Sequence, residues 1–155
     1  MKAWRRCATV VLVSAVVVAG CATATMMSAD ESIAARKQLM KDQGAAMRSI
    51  QDKLKAGQVQ AVAADAEKLV ETSKRIPALF PEGSLNPQTS RVKPEAWQKW
   101  SEFEGNAKTL GSKGAQLAAT ARTGNAQATT AAVGDIGRTT CTKCHDAFRG
   151  PEIKK

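Results

Sequence analysis

The sequence predicts an all-α fold, an antiparallel four-helix bundle, on three observations. Apolar side chains recur at helical spacing through four segments of roughly 20 to 30 residues, the length of a bundle helix. Turn residues separate those segments at Gly57, between Pro77 and Pro87, and at Gly124. No stretch alternates with period two, and the β-branched and aromatic residues do not gather into strand-like runs. A chain of 155 residues is the size of one domain with one core. Proline and glycine total 16 residues, which excludes a collagen-like or low-complexity chain.

The first helix is expected over residues 30–56. Ile33, Met40, Met47 and Leu54 stand seven apart, and Ala34, Gly44 and Ile50 widen their stripe. Lys37, Lys41, Asp42, Arg48 and Asp52 fall mostly off it. Ser28 or Asp30 is placed to cap its start and Gly57 to end it. The second helix, residues 58–76, carries Val59, Val62, Ala66, Leu69, Ser73 and Ile76 on one face, and Pro77 stops it. Residues 77–93 hold Pro77, Pro81, Gly83, Asn86 and Pro87. They read as a connecting loop, long enough to cross over or to serve a site.

The third helix opens at Pro94, a favoured first-turn residue. Its stripe is Trp97, Trp100, Phe103, Ala107, Leu110, Gly114, Leu117 and Ala121, and Gly124 closes it. The fourth runs from about Asn125 to Phe148 with Ala128, Ala132, Val133, Ile136, Cys141, Cys144 and Phe148 inward. Gly134 and Gly137 weaken it by ~1 kcal/mol each relative to alanine; their expected use is close approach of a neighbour or a flat ligand. Such alanine-rich stripes suit helices packed closely around something.

Residues 1–20 read as an export signal. Lys2, Arg5 and Arg6 precede a short apolar run from Cys7 to Gly20. The run is shorter than the ~20 apolar residues of a membrane span. Its end, Val18-Ala19-Gly20-Cys21, resembles the lipobox of bacterial lipoproteins, in which the cysteine is acylated and becomes the first mature residue. Ordinary cleavage at the small residues Ala22-Thr23-Ala24 is the competing reading. Cleavage before Cys21 leaves 135 residues and lowers the formal charge from +9 to +6. Residues 21–29 are then a flexible tail, 30–150 the bundle and 151–155 a C-terminal tail.

Cys141-Thr142-Lys143-Cys144-His145 is the strongest chemical signal. This spacing is that of a c-type haem attachment site. Positions i and i+3 of a helix share a face, so two thiols there can add across the two vinyl groups of one porphyrin. The adjacent imidazole can then reach the iron. A disulfide is the alternative in an oxidising compartment. A thioredoxin-like pair would need a βαβ setting, and a zinc site would need a fourth ligand beyond these three. With one histidine in the chain, sites that require two are excluded, bis-histidine haem among them.

The attachment site sits near the C-terminus and continues Asp146-Ala147-Phe148-Arg149. With Ala35-Arg36-Lys37-Gln38-Leu39-Met40 and Gly44 in the first helix, Ile76-Pro77-Ala78-Leu79-Phe80-Pro81 before the loop, and Trp97, Trp100 and Phe103 in the third, it resembles the class II c-type cytochromes, the cytochrome c′ family. The resemblance spans essentially residues 30–150. It implies an all-α antiparallel four-helix bundle with one covalently bound haem c, attached through Cys141 and Cys144 with His145 on the iron.

Periodicity alone leaves Met40 and Met47 equal as a sixth ligand, each equally readable as core. The resemblance separates them. In the family's high-spin members an apolar residue four after a first-helix arginine blocks the sixth position. In the low-spin, cytochrome c-556-like branch a methionine stands there and binds iron. Arg36 plus four is Met40. Arg36 and Arg149 are the candidates to neutralise the haem propionates, with Arg149 alternatively packing over the proximal side. Trp97, Trp100 and Phe103 are expected in the core.

These readings describe an exported, periplasmic, monohaem one-electron carrier, lipid-anchored where Cys21 is acylated, and not an enzyme. The alternative is a five-coordinate, high-spin cytochrome c′ that binds or senses NO or CO. The scattered basic charge suits redox partner proteins with acidic surfaces and not nucleic acid. The family's antiparallel pairing through the first two helices makes a homodimer a further expectation.

Overall fold

The computed structural model describes residues 27–153. The export signal, Cys7, the lipidation reading of Cys21 and the last two lysines lie outside the described residues. The first rod is α1, Ala29–Lys55. Ser28, not Asp30, starts it: Ser28 Oγ accepts from Glu31 N at 3.2 Å, and the Glu31 carboxylate accepts from Ser28 N at 2.8 Å. This reciprocal box satisfies two of the helix's orphan donors. Gly57 follows the last turn at φ +71°, a left-handed position that glycine adopts without strain.

The buried face of α1 differs from the expected stripe. Ile33, Leu39, Ala46 and Ile50 are buried with Ser32 and Arg36, Ala34 is exposed, and Met40, Met47 and Leu54 are half-buried. A strict seven-residue step drifts around a straight helix by ~20° per repeat. The methionines therefore turn away from the seam against the second helix and toward a cavity.

The second rod enters through a 3₁₀ turn, Val59–Ala61, and continues as α2, Val62–Arg75. Pro77 opens a second 3₁₀ turn, Pro77–Leu79, so the helix ends where expected. One ion network ties the two rods together. The Asp65 carboxylate accepts from Ser49 Oγ at 2.6 Å, Lys53 Nζ at 2.6 Å and Lys68 Nζ at 2.9 Å. Burial pushes its pKa up, but these donors outweigh that effect and hold it at about 2.

The third rod is two helices, α3 (Glu95–Gln98) and α4 (Trp100–Arg122). Lys99, at φ −116° and ψ 46°, breaks the helix between them. The break puts Trp97 and Trp100 out of step. Trp97 tucks in and donates through Nε1 to Phe80 O at 3.0 Å. Trp100, expected in the core, is 37% exposed. Close helix approach occurs where α4 crosses α2: a β-carbon on Gly114 would lie 3.1 Å from Val70 Cγ2 and 3.3 Å from Ala66 O. The glycines expected to serve that purpose do not. A β-carbon on Gly137 would meet nothing within 4 Å, and one on Gly134 only the Arg138 guanidinium.

The fourth rod is also interrupted. It comprises α5 (Ala126–Ile136, capped by Asn125), a π-helical segment Gly137–Thr142, and α6 (Lys143–Phe148). Thr140, outside the expected stripe, is buried one turn after Ile136, the spacing of residues that share a helix face. Among the described residues there is no strand, only an isolated antiparallel bridge between Val92 and Arg149. Lys93 N donates to Phe148 O at 2.9 Å and Gly150 N to Arg91 O at 2.6 Å. The bridge lays residues 91–93 of the connecting loop beside the end of α6.

Candidate functional site

Between α1 and the fourth rod lies a cavity of about 760 Å³, within the ~300–1,000 Å³ typical of small-molecule and cofactor sites. Met40 and Met47 enter its lining from α1, and Cys141, Cys144 and His145 from the π segment and α6. Arg36 and Arg149 stand in the lining too, so all seven of these residues singled out from the sequence meet at this cavity. Apolar walls come from Leu69 and Ile76 at α2, Phe103 and Leu110 on α4, and Phe80 and Phe148. The three phenylalanines pack on one another: Phe103 lies 4.6 Å from Phe80 and 5.3 Å from Phe148, centroid to centroid.

The thiols of Cys141 and Cys144 are both free, so they form no disulfide in this structure. Among the described residues no three His, Cys, Asp or Glu side chains converge, which leaves a zinc site without its ligand set. Burial raises the Cys141 thiol. It also raises Cys144, with help from Cys141 and Glu102, to about 11. Burial lowers His145, Arg149 and Arg91 lower it further, and Asp146 opposes them. The histidine is thus held neutral, the form that coordinates a metal.

These features fit a haem c. The walls are apolar, two thiols and an imidazole stand on one helical segment, and buried polar atoms without a partner collect at this cavity. Arg36 Nε, Asn106 Nδ2 and Thr140 Oγ1 all lack a hydrogen-bond partner, and all three residues line it. A buried unpaired donor is costly, so three around one cavity point to a group with polar edges. Asn106 and Thr140 were not legible as site residues, because neither falls in a motif.

The Arg36 side chain does more than the sequence suggested. It is buried, and its Nη1 donates to Ser84 Oγ at 3.1 Å. Its Nη2 donates to Ser84 O at 2.8 Å and Ser90 Oγ at 2.9 Å. The guanidinium lies 4.9 Å from the Phe80 ring centroid and 6.0 Å from that of Trp97. Arg36 thereby clamps the loop over the cavity, which leaves Nε and the second N–H of Nη1 for a propionate. Arg149 is exposed and joins the Val92 bridge through its backbone. Arg91 Nε donates to Gly150 O and Pro151 O, both at 3.0 Å. Glu152 and Ile153 reach the lining, so the C-terminal segment belongs to the site and is not only a tail.

Comparison with known proteins places this geometry. The family model described as cytochrome C′ matches residues 31–149. A cytochrome c′ of Pararhodospirillum photometricum is 31% identical over 117 residues, covering 74% of this chain and 92% of the relative. The crystal structure of cytochrome c′ from Thermochromatium tepidum superposes with a TM-score of 0.70 at 28% identity, covering 81% of this chain and 99% of that one. A nitric oxide complex of a cytochrome c prime variant from Alcaligenes xylosoxidans shares the fold at a TM-score of 0.70 and 23% identity, covering 81% of this chain and 99% of that one. Proteins of this family are periplasmic four-helix bundles that carry one covalently bound haem c. Among the described residues no helix is long and apolar enough to cross a membrane. The attachment motif, the apolar cavity and a family match spanning almost the whole described chain lead to one conclusion: this chain belongs to the cytochrome c′ family of monohaem c-type cytochromes.

Proposed function

We propose that the protein is a one-electron carrier whose haem iron is held between His145 and Met40, attached through Cys141 and Cys144. The supporting observation is that Met40 lines the same cavity as His145 from the opposite wall, α1. When bound, haem c supplies an iron that cycles between ferric and ferrous and so takes up and releases one electron. His145, kept neutral by burial, offers a ring nitrogen, and Met40 offers a thioether sulfur. The apolar walls keep water from the centre, and Arg36 holds the loop that closes it. A thioether ligand from Met40 would raise the reduction potential relative to harder ligands. It would also occupy the place a gas needs, which would favour electron transfer over ligand binding or catalysis. Export with a lipid on Cys21 belongs to the same proposal.

The name carried by the family model and by both close relatives favours a second reading, an iron left five-coordinate and open to NO or CO. The fold-mate from Alcaligenes xylosoxidans was crystallised as its nitric oxide complex. Met40 is what this chain sets against that reading. The visible and near-infrared spectrum of the oxidised holoprotein separates the two. A low-spin spectrum with a sulfur-to-iron charge-transfer band, lost in Met40→Ala together with new CO binding, supports the carrier. A high-spin wild-type spectrum with ready CO binding makes the gas-binding reading correct.

A further inference from the structure

The charges around the cavity are lopsided. Five cationic side chains line it, Arg36, Lys37, Lys41, Arg91 and Arg149, against one carboxylate, Glu152. Arg36 is buried and occupied with the loop, and Arg91 pairs with Glu152 at 3.7 Å. Lys37, Lys41 and Arg149 are exposed and form no ion pair among the described residues. Six of the seven ion pairs lie elsewhere on the described surface. Lys37 and Lys41 also stand one helical turn apart, where like charges repel. The fold gains nothing from that placement.

We propose that Lys37, Lys41 and Arg149 form a cationic rim around the mouth of the haem cavity and dock an acidic redox protein there. The inference rests on the chain carrying a haem in this cavity, and it holds whether or not Met40 binds the iron. Complementary charge at a partly apolar cleft raises encounter rates, an effect that salt screens away. Arg149 follows His145 by four residues, so the rim lies beside the group that holds the iron, and a partner seated on it is brought to the haem edge.

The test uses the holoprotein, the variant K37E/K41E, and the variant K55E/R122E with the same net charge change at the far end of the bundle. Stopped-flow reduction by anionic iron(II)-EDTA transfers one electron from that iron to the ferric haem, with no bond made or broken. Hexaammineruthenium(II) is the cationic counterpart. At low ionic strength K37E/K41E reduces about tenfold more slowly with iron(II)-EDTA and faster with the ruthenium reagent, and both differences vanish in high salt. K55E/R122E stays near wild type. Poly-L-glutamate binding, followed by fluorescence titration, weakens only in the rim variant. An unchanged optical spectrum in every variant keeps this outcome separate from that of the axial-ligand reading. The proposal is overturned if the two variants show the same rates and the same poly-L-glutamate affinity. It is equally overturned if the rim variant loses only its binding to phosphatidylglycerol vesicles, which would make the rim a membrane contact.

Discussion

Arg36 shows how one side chain can be found by motif while a second role stays out of sight. Its position four residues before Met40 drew attention to it, and it lines the cavity. Its partners, Ser84 and Ser90, sit 48 and 54 residues away, in a loop whose serines carry no periodic or motif signal. Sequence spacing gives neighbours along a helix but not which loop folds back on it. Replacing Arg36 with alanine removes three charged hydrogen bonds and two aromatic contacts. The expected loss is about 2–4 kcal/mol of unfolding free energy, measured by denaturant titration of the holoprotein. The double variant Ser84→Ala, Ser90→Ala reproduces much of that loss with the guanidinium in place. If the double variant unfolds like wild type, Arg36 acts chiefly elsewhere than on the loop.

At the level of elements, helix ends were legible and helix faces less so. The Ser28 cap, Gly57, Pro77 and Gly124 mark boundaries that local chemistry alone enforces, and the structure keeps each of them. The breaks at Lys99 and across Gly137–Thr142 have no such marker, and both rotate the residues beyond them. That is why Trp100 emerges. The joint between α1 and α2 was also invisible in sequence, because Asp65 reads as one more surface acid. Its folded pKa of about 2 lies below the ordinary 3.8. A depressed carboxylate stabilises the fold at pH values above the unfolded pKa, and that contribution fades as pH falls from about 4 toward 2. The difference amounts to about 2 kcal/mol. Asp65→Asn should therefore cost about that much at pH 7 and little at pH 2. Urea titrations of both proteins at the two pH values check it; equal costs at both would mean that packing, not ionisation, makes the joint.

Across the whole molecule, the attachment chemistry could be read before the structure because its residues are contiguous: Cys141, Cys144 and His145 need only one helical turn to converge. What closes the cavity could not, because it is assembled from distant pieces. The loop at Thr89–Val92, the end of α6 and the C-terminal segment meet through the Val92–Arg149 bridge, the Arg91 hydrogen bonds and the Arg91–Glu152 pair. Residues 151–155 read as a C-terminal tail because they follow the last helix, yet Glu152 and Ile153 line the haem cavity. Ending the chain after Gly150 keeps the backbone bridge and every buried core residue. It removes the Pro151 acceptor and the Glu152 partner of Arg91. Both are solvent-facing contacts, so unfolding free energy should change by no more than about 0.5 kcal/mol. The reduction potential should fall, because greater exposure of the haem to water favours the more highly charged ferric state. Spectroelectrochemistry of the truncated and full-length holoproteins in the same buffer measures the difference. An unchanged potential would mean that the segment rests on the cavity without sealing it, leaving Arg36 and its loop as the whole of the closure.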